Sequence, residues 1–419
     1  MRAQLHVTAD ASEVGMDQQR LARIPAYFEQ NYVDTGRLAG FQVVVARQGQ
    51  VVLRAECGCA DLASAARMAP DTLFRIYSMT KPITSVALMT LYEHGRFQLD
   101  DPVHRHLPAL ADLRVFAGGG ASQALTSAAQ RPVTIRDLLT HTSGLTYGFM
   151  DRHPVDAIYR ARGITGPDRR NPGTACATTA EMVDRLSEVP LLFSPGTQWS
   201  YSVATDVVGR LVEVISGQRL DAFMQQRIFG PLGMVDTVFD LRADHADRLA
   251  ANYVTAADGS LEILDPAGAA SALSIPATFH SGGGGLVSSA HDYHRFTQML
   301  LGGGTLDGVR VLGRKTVEFM TVNHLPTGGD LATMGMATWD GYSYLGVGFG
   351  LGFAVVLDPV RAQTIGSAGE YNWGGAASTL FWVDPAEELV AMLFAQVMPS
   401  VNDTTRRELQ ALVYQALAD

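Results

Sequence analysis

The sequence predicts an α+β protein: an α/β body built by both ends of the chain, interrupted by a mainly helical insertion. Two strand-turn-strand patterns, one near each end, support the body. A long middle stretch with helical periods supports the insertion. The expected boundaries are 1–95 and 275–419 for the body and 96–274 for the helical part. The active site is expected between them.

Met16 to Tyr32 puts Leu21, Ile24, Tyr27 and Phe28 on one side and reads as an amphipathic helix. Gly40 to Arg47 is a strand, Gln48-Gly49-Gln50 a turn, and Val51 to Glu56 the returning strand. A short loop leads to Ser78, from which a helix runs to about His94 and stops at Gly95. From about Asp101 to Asp265 helical periods alternate with long loops. Thr134 is placed to cap one helix; Thr179 to Leu186, Ala204 to Ser216 and Leu220 to Ile228 make three more. Gly118-Gly119-Gly120 and Gly166-Pro167-Asp168 mark loops. Strands return in Gly346 to Leu357. Ala376 to Val383, a turn over Asp384 to Glu388, and Leu389 to Ala395 form the second hairpin. Thr404 to Ala418 is a closing helix.

The 419 residues are 47% hydrophobic and 18% charged, an ordinary globular profile with a large core. A net charge of −10 argues against a nucleic-acid partner. The closest basic cluster, Asp168-Arg169-Arg170, contains its own acid and reads as a solvated loop. Cys57, Cys59 and Cys176 have no zinc-ligand spacing and read as free thiols, which suits a reducing cytoplasm. Met1 to Asp10 has no apolar core of a signal peptide, so a cytoplasmic location is expected. No stretch is long and uncharged enough to cross a membrane. Neither a metal nor a cofactor is expected, and homo-oligomerisation is left open.

Lys81 is one of two lysines in the chain and lies three residues after Ser78. At that spacing on a helix the two side chains share a face, one turn apart. Lysine, unlike arginine, can be driven neutral by burial and serve as a base. A serine with such a neighbour is an activated nucleophile. The residues that follow, Ile83, Val86, Ala87, Leu88 and Met89, favour a buried lysine over a solvated one. There is no Gly-x-Ser-x-Gly elbow, which disfavours a conventional α/β-hydrolase.

Further motifs join Ser78-Met79-Thr80-Lys81. They are Leu138 to Leu145, Pro195-Gly196 leading to Tyr201-Ser202-Val203, Gly282 to Ser289, and Trp373-Gly374-Gly375. Together they resemble the serine β-lactamase and penicillin-binding-protein superfamily, and within it the class C β-lactamase-like family VIII carboxylesterases. The resemblance spans roughly residues 20 to 400. It implies a serine β-lactamase-like fold, with a central antiparallel sheet flanked by helices. It also implies Ser78 as nucleophile, Lys81 as its base and Tyr201 as a proton shuttle. The backbone N–H groups of Ser78 and Ala376 would form the oxyanion hole, with Trp373, Gly374 and Gly375 at the substrate.

The departures narrow the substrate. Class C β-lactamases carry Tyr-x-Asn and Lys-Thr-Gly, where this chain has Val203 and Trp373-Gly374-Gly375. The cation that meets a β-lactam carboxylate is therefore missing. Lys315-Thr316-Val317 does not replace it, because no glycine follows and its context is helical. The expected activity is a serine carboxylesterase for uncharged short- to medium-chain esters. A β-lactamase, D-amino-acid peptidase or acyltransferase on the same fold is the alternative; a non-catalytic binding module is the reading from another class. His141, Tyr77 and Asp206 are read as structural.

Overall fold

Side-chain alternation explains the sheet. Strand β1 (Gly40–Arg47) sends Phe41, Val43 and Val45 to one face and Val44 and Ala46 to the other, and both faces are buried. The computed structural model describes residues 4–166, 168–171, 173–335 and 344–419. Pro167 of the expected loop and the first three residues of the N-terminal segment lie outside them.

Seven further strands join β1: β2 (Gln50–Asp61), β3 (Ala66–Arg67), β4 (Val347–Phe349), β5 (Ala354–Val356), β6 (Tyr371–Gly375), β7 (Thr379–Asp384) and β8 (Leu389–Phe394). Their spatial order is β4-β5-β6-β7-β8-β1-β2-β3. Every neighbouring pair is antiparallel. The seam between the two ends of the chain is β1 on β8, with Val44 opposite Met392. Both expected hairpins are therefore present, joined edge to edge.

Each face has its own cover. On one side Ile24 and Phe28 of the N-terminal helices, with Leu409 and Val413 from Asn402–Tyr414, pack on Phe41, Val43, Trp382 and Leu393. On the other side lie Thr80–Glu93 and Ala290–Leu301, packed on Phe381, Met392 and Phe394. We call these helices α1 (Thr80–Glu93), α2 (Ala204–Ser216), α3 (Ala290–Leu301) and α4 (Asn402–Tyr414). Helix α1 is buried at every position from Thr80 to Leu91, the signature of a central helix. It packs against α2, whose apolar stripe continues the same core into the middle of the chain.

Three elements differ from the sequence reading. Gly118-Gly119-Gly120 is not a loop but the end of a strand, Arg114–Gly120, paired with Gln123–Ala128. Gly118 (φ +144) and Gly119 (φ +88) take conformations that suit glycine, and the register shifts beside them, so the run marks a bulge. A second unexpected hairpin, Asn252–Thr255 with Leu261–Asp265, lies within the stretch read as helical. Finally, the strand expected from Ala376 begins only at Thr379: Gly374 and Gly375 close β6, and Ala376 stands in the turn to β7.

A buried acid pair ties α4 to the sheet. Tyr414 Oη donates to Asp384 Oδ2 at 2.7 Å and Glu370 Oε2 at 3.1 Å. Gln410 Nε2 donates to both Glu370 oxygens, at 3.0 and 3.1 Å. Burial, reinforced by the Asp384 charge, raises the Glu370 carboxyl to about 7. An acid raised in the folded state stabilises the fold fully below its unfolded value, and that contribution is lost as pH rises through about 7. Glu370→Gln is therefore expected to flatten the fall of melting temperature between pH 4.5 and about 7. A variant whose melting curve keeps the wild-type pH slope contradicts this.

Candidate active site

Ser78 lies in the 3₁₀ turn Tyr77–Met79 that leads into α1. Lys81, one turn on, is 2% exposed. Its Nζ donates to Ser78 Oγ at 3.2 Å and to the Gly283 carbonyl at 2.7 Å. Tyr201, in the segment entering α2, donates its hydroxyl to Ser78 Oγ at 2.6 Å. Residues 123 positions apart in the chain thus converge on one oxygen. The chain comes together here because α1 and α2 pack side by side.

Electrostatics follow from dryness. Burial lowers Lys81 to about 7, and the Asp206 charge opposes that fall. Burial pushes the Tyr201 phenol up. At neutral pH the site therefore holds a lysine close to losing its proton beside a phenol that keeps its own. The Lys81 ammonium lies 4.5 Å from the Tyr201 ring centroid and 5.4 Å from that of Tyr147.

Aromatic side chains wall the site. Around Tyr201 stand His141 at 5.0 Å, Tyr147 at 5.3 Å, Trp373 at 5.5 Å and Trp199 at 6.4 Å between ring centroids. Phe349 of β4 meets Trp373 edge-on at 5.4 Å. Trp373 thus occupies the wall where the resemblance places a motif lysine.

Strand β6 runs against the Ser78 turn. A Cβ at Gly375 would stand 2.5 Å from the Ile76 carbonyl and 2.2 Å from Thr379 Oγ1. One at Gly374 would stand 2.6 Å from Asn402 Nδ2. Both glycines let neighbouring protein groups approach the strand closely. From behind, α4 grips the same strand: Asn402 Nδ2 donates to the Gly375 carbonyl at 3.1 Å, and Arg406 Nη2 to that of Trp373 at 2.9 Å.

The other candidates fall where their chemistry suggests. His141 is buried, with Nδ1 3.2 Å from Ser202 Oγ, and packs rather than reacts. The Tyr77 hydroxyl accepts from Asn252 Nδ2 at 2.8 Å. Lys315 is exposed in the helix Arg314–Met320 and pairs with Glu318 at 2.5 Å. The three cysteines are free. Two site neighbours escaped the sequence reading. Tyr147 is one; it carries no motif signal. Asp206 is the other, buried with its carboxylate turned toward the 281–283 turn. A signal existed for it, since the glycine run opposite leaves space for an approaching group.

The beta-lactamase family profile matches residues 26–415. The chain belongs to the beta-lactamase family. This family member is 33% identical over 403 residues to esterase EstB of Burkholderia gladioli, covering 92% of each chain. It is 30% identical over 398 residues to a lovastatin esterase of Penicillium rubens, covering 90% of this chain and 94% of that one. Among solved structures it is similar to EstCE1, a hydrolase with promiscuous acyltransferase activity. There the TM-score is 0.79 at 26% identity, with coverage of 95% and 99%. Within the beta-lactamase family the chain is thus a family VIII esterase-type, class C-like serine hydrolase acting on esters. Among the described residues no helix is long and apolar enough to cross a membrane, and no cluster of metal-ligating side chains occurs.

Proposed function

We propose that this protein hydrolyses uncharged short- to medium-chain carboxylic esters through an acyl-enzyme on Ser78. The observation that carries this reading is the convergence of Lys81 Nζ and Tyr201 Oη on Ser78 Oγ. Neutral Lys81 takes the serine proton as Oγ bonds to the ester carbonyl carbon. The oxyanion that forms is met by the N–H groups of Ser78 and Ala376, at the junction of the sheet body and the helical part. The alkoxide leaves with a proton handed on through Tyr201. Water then adds to the acyl carbon by the same route in reverse, releasing the acid and restoring Ser78. An aromatic wall with Trp373 and Phe349, Val203 in place of the second-motif asparagine, and no cation at the third motif support neutral substrates over anionic β-lactams.

A second reading, acyl transfer to an alcohol, is favoured by the likeness to EstCE1. One experiment separates them. The protein is mixed with p-nitrophenyl butyrate, with and without a primary alcohol, and the acid and new ester are quantified. Butyrate dominating in both, with a butyryl group trapped on the Ser78 peptide, is the expected result. New ester dominating would establish transfer; a folded protein with no acyl group at Ser78 would refute both. Gly375→Ala, by forcing β6 off the Ser78 turn, is expected to lower kcat by about 10²-fold, the size of one lost oxyanion donor. Retained kcat would remove β6 from the oxyanion hole.

A further inference from the structure

We propose that Asp206 is the positioning residue of the base: its carboxylate fixes the Gly283 peptide that receives Lys81, and its charge governs how readily Lys81 gives up a proton. This rests on the reading of Lys81 as the base for Ser78. Asp206 Oδ1 accepts from the Gly283 N–H at 3.0 Å and from Ser281 Oγ at 2.5 Å. The carbonyl of that same Gly283 accepts from Lys81 Nζ at 2.7 Å. One residue thus relays the carboxylate to the base, donor on one side and acceptor on the other.

The packing is built for this approach. A Cβ at Gly283 would stand 2.7 Å from Asp206 Oδ2, so only glycine lets the carboxylate in. A Cβ at Gly282 would strike the Thr205 carbonyl at 2.7 Å and Thr84 Cγ2 at 2.9 Å, which wedges the turn between α1 and α2. An acid in the first turn of a helix ordinarily serves that helix's own N–H groups. Here both hydrogen bonds cross to the 281–283 turn. Asp206 is 5% exposed and forms no ion pair with an arginine or lysine among the described residues, and such a buried acid is costly unless it has work to do.

The groups around the pair are few. Facing Lys81 are Ser78 from the turn before its own helix, Tyr147 and His141 from the 141–147 segment, Tyr201 and Asp206 from the segment entering α2 and its first turn, and the Gly283 carbonyl. Facing Asp206 are Ser281, the Gly283 N–H, Lys81 and the phenols Tyr147 and Tyr201. Among the described residues Asp206 is the one charge acting on Lys81, and it holds the lysine proton on.

The test is the pH profile of kcat/KM for p-nitrophenyl butyrate. Asp206→Asn keeps the shape and removes the charge. Its acidic limb is expected to move down by about one pH unit, the order for losing one opposite charge nearby. Its plateau is expected to fall as well, because Lys81 becomes a weaker base. Ser281→Ala removes a donor and keeps the charge, so its limb is expected at or above the wild-type position. A limb unmoved in Asp206→Asn overturns the proposal, and so does a downward shift in Ser281→Ala, which stands as a test even if the asparagine variant does not fold. A wild-type protein that cleaves no ester sinks the Ser78 reading instead. A normal wild-type limb that Asp206→Asn leaves in place sinks this inference alone.

Discussion

Ser78→Ala is expected to stop ester hydrolysis and leave the fold unchanged. The substitution deletes a single oxygen whose partners are Lys81 Nζ and Tyr201 Oη. No apolar contact is lost, and Ser78 is only half-buried. The loss in kcat is expected to be on the order of 10⁶-fold, as when the nucleophile of a serine hydrolase is removed. Steady-state rates on p-nitrophenyl butyrate, beside a circular-dichroism melt, provide the check. A folded variant that turns over near the wild-type rate would end the assignment of Ser78.

Lys81→Arg is the second large effect, because it keeps the charge and removes the chemistry. A guanidinium does not give up its proton in a protein, so it cannot accept one from Ser78. The expected fall in kcat/KM is about 10²–10⁴-fold, the usual worth of a general base. In the wild type, activity should climb as pH rises through about 7, where Lys81 becomes neutral. The residual activity of the arginine variant should lack that climb. Lys81→Met, which fits the buried channel without a charge, separates lost chemistry from strain and should be equally slow. Either variant keeping both the rate and the climb would show that another group takes the serine proton.

The two central hairpins were legible because their strands are short apolar runs bounded by turn residues and join close neighbours in the chain. Thr178 caps one expected helix and Gly217 ends another, and both ran as read. The strand Arg114–Gly120 was not legible, since Gly118 to Gly120 offer no side chain to pattern. The core of the site was readable from Ser-x-x-Lys and from the order of the family motifs. Asp206 reads as structural in the sequence, because its partners Ser281 and Gly283 lie 75 and 77 residues away. Relations of that kind arise only when α1, α2 and the glycine turn are packed together.

The grip of α4 on β6 makes the far end of the chain part of the reaction. Asn402 and Arg406 hold the carbonyls of Gly375 and Trp373, the strand that abuts the Ser78 turn. A support or fusion partner that pulls on residues beyond Tyr414 loads their hydrogen bonds to Gly15 and Asp17 first, and through α4 the strand it grips. Immobilised preparations tethered through the C-terminus should therefore lose turnover before they lose structure, and tethers on the exposed turn between β2 and β3, at the far edge of the sheet, should not.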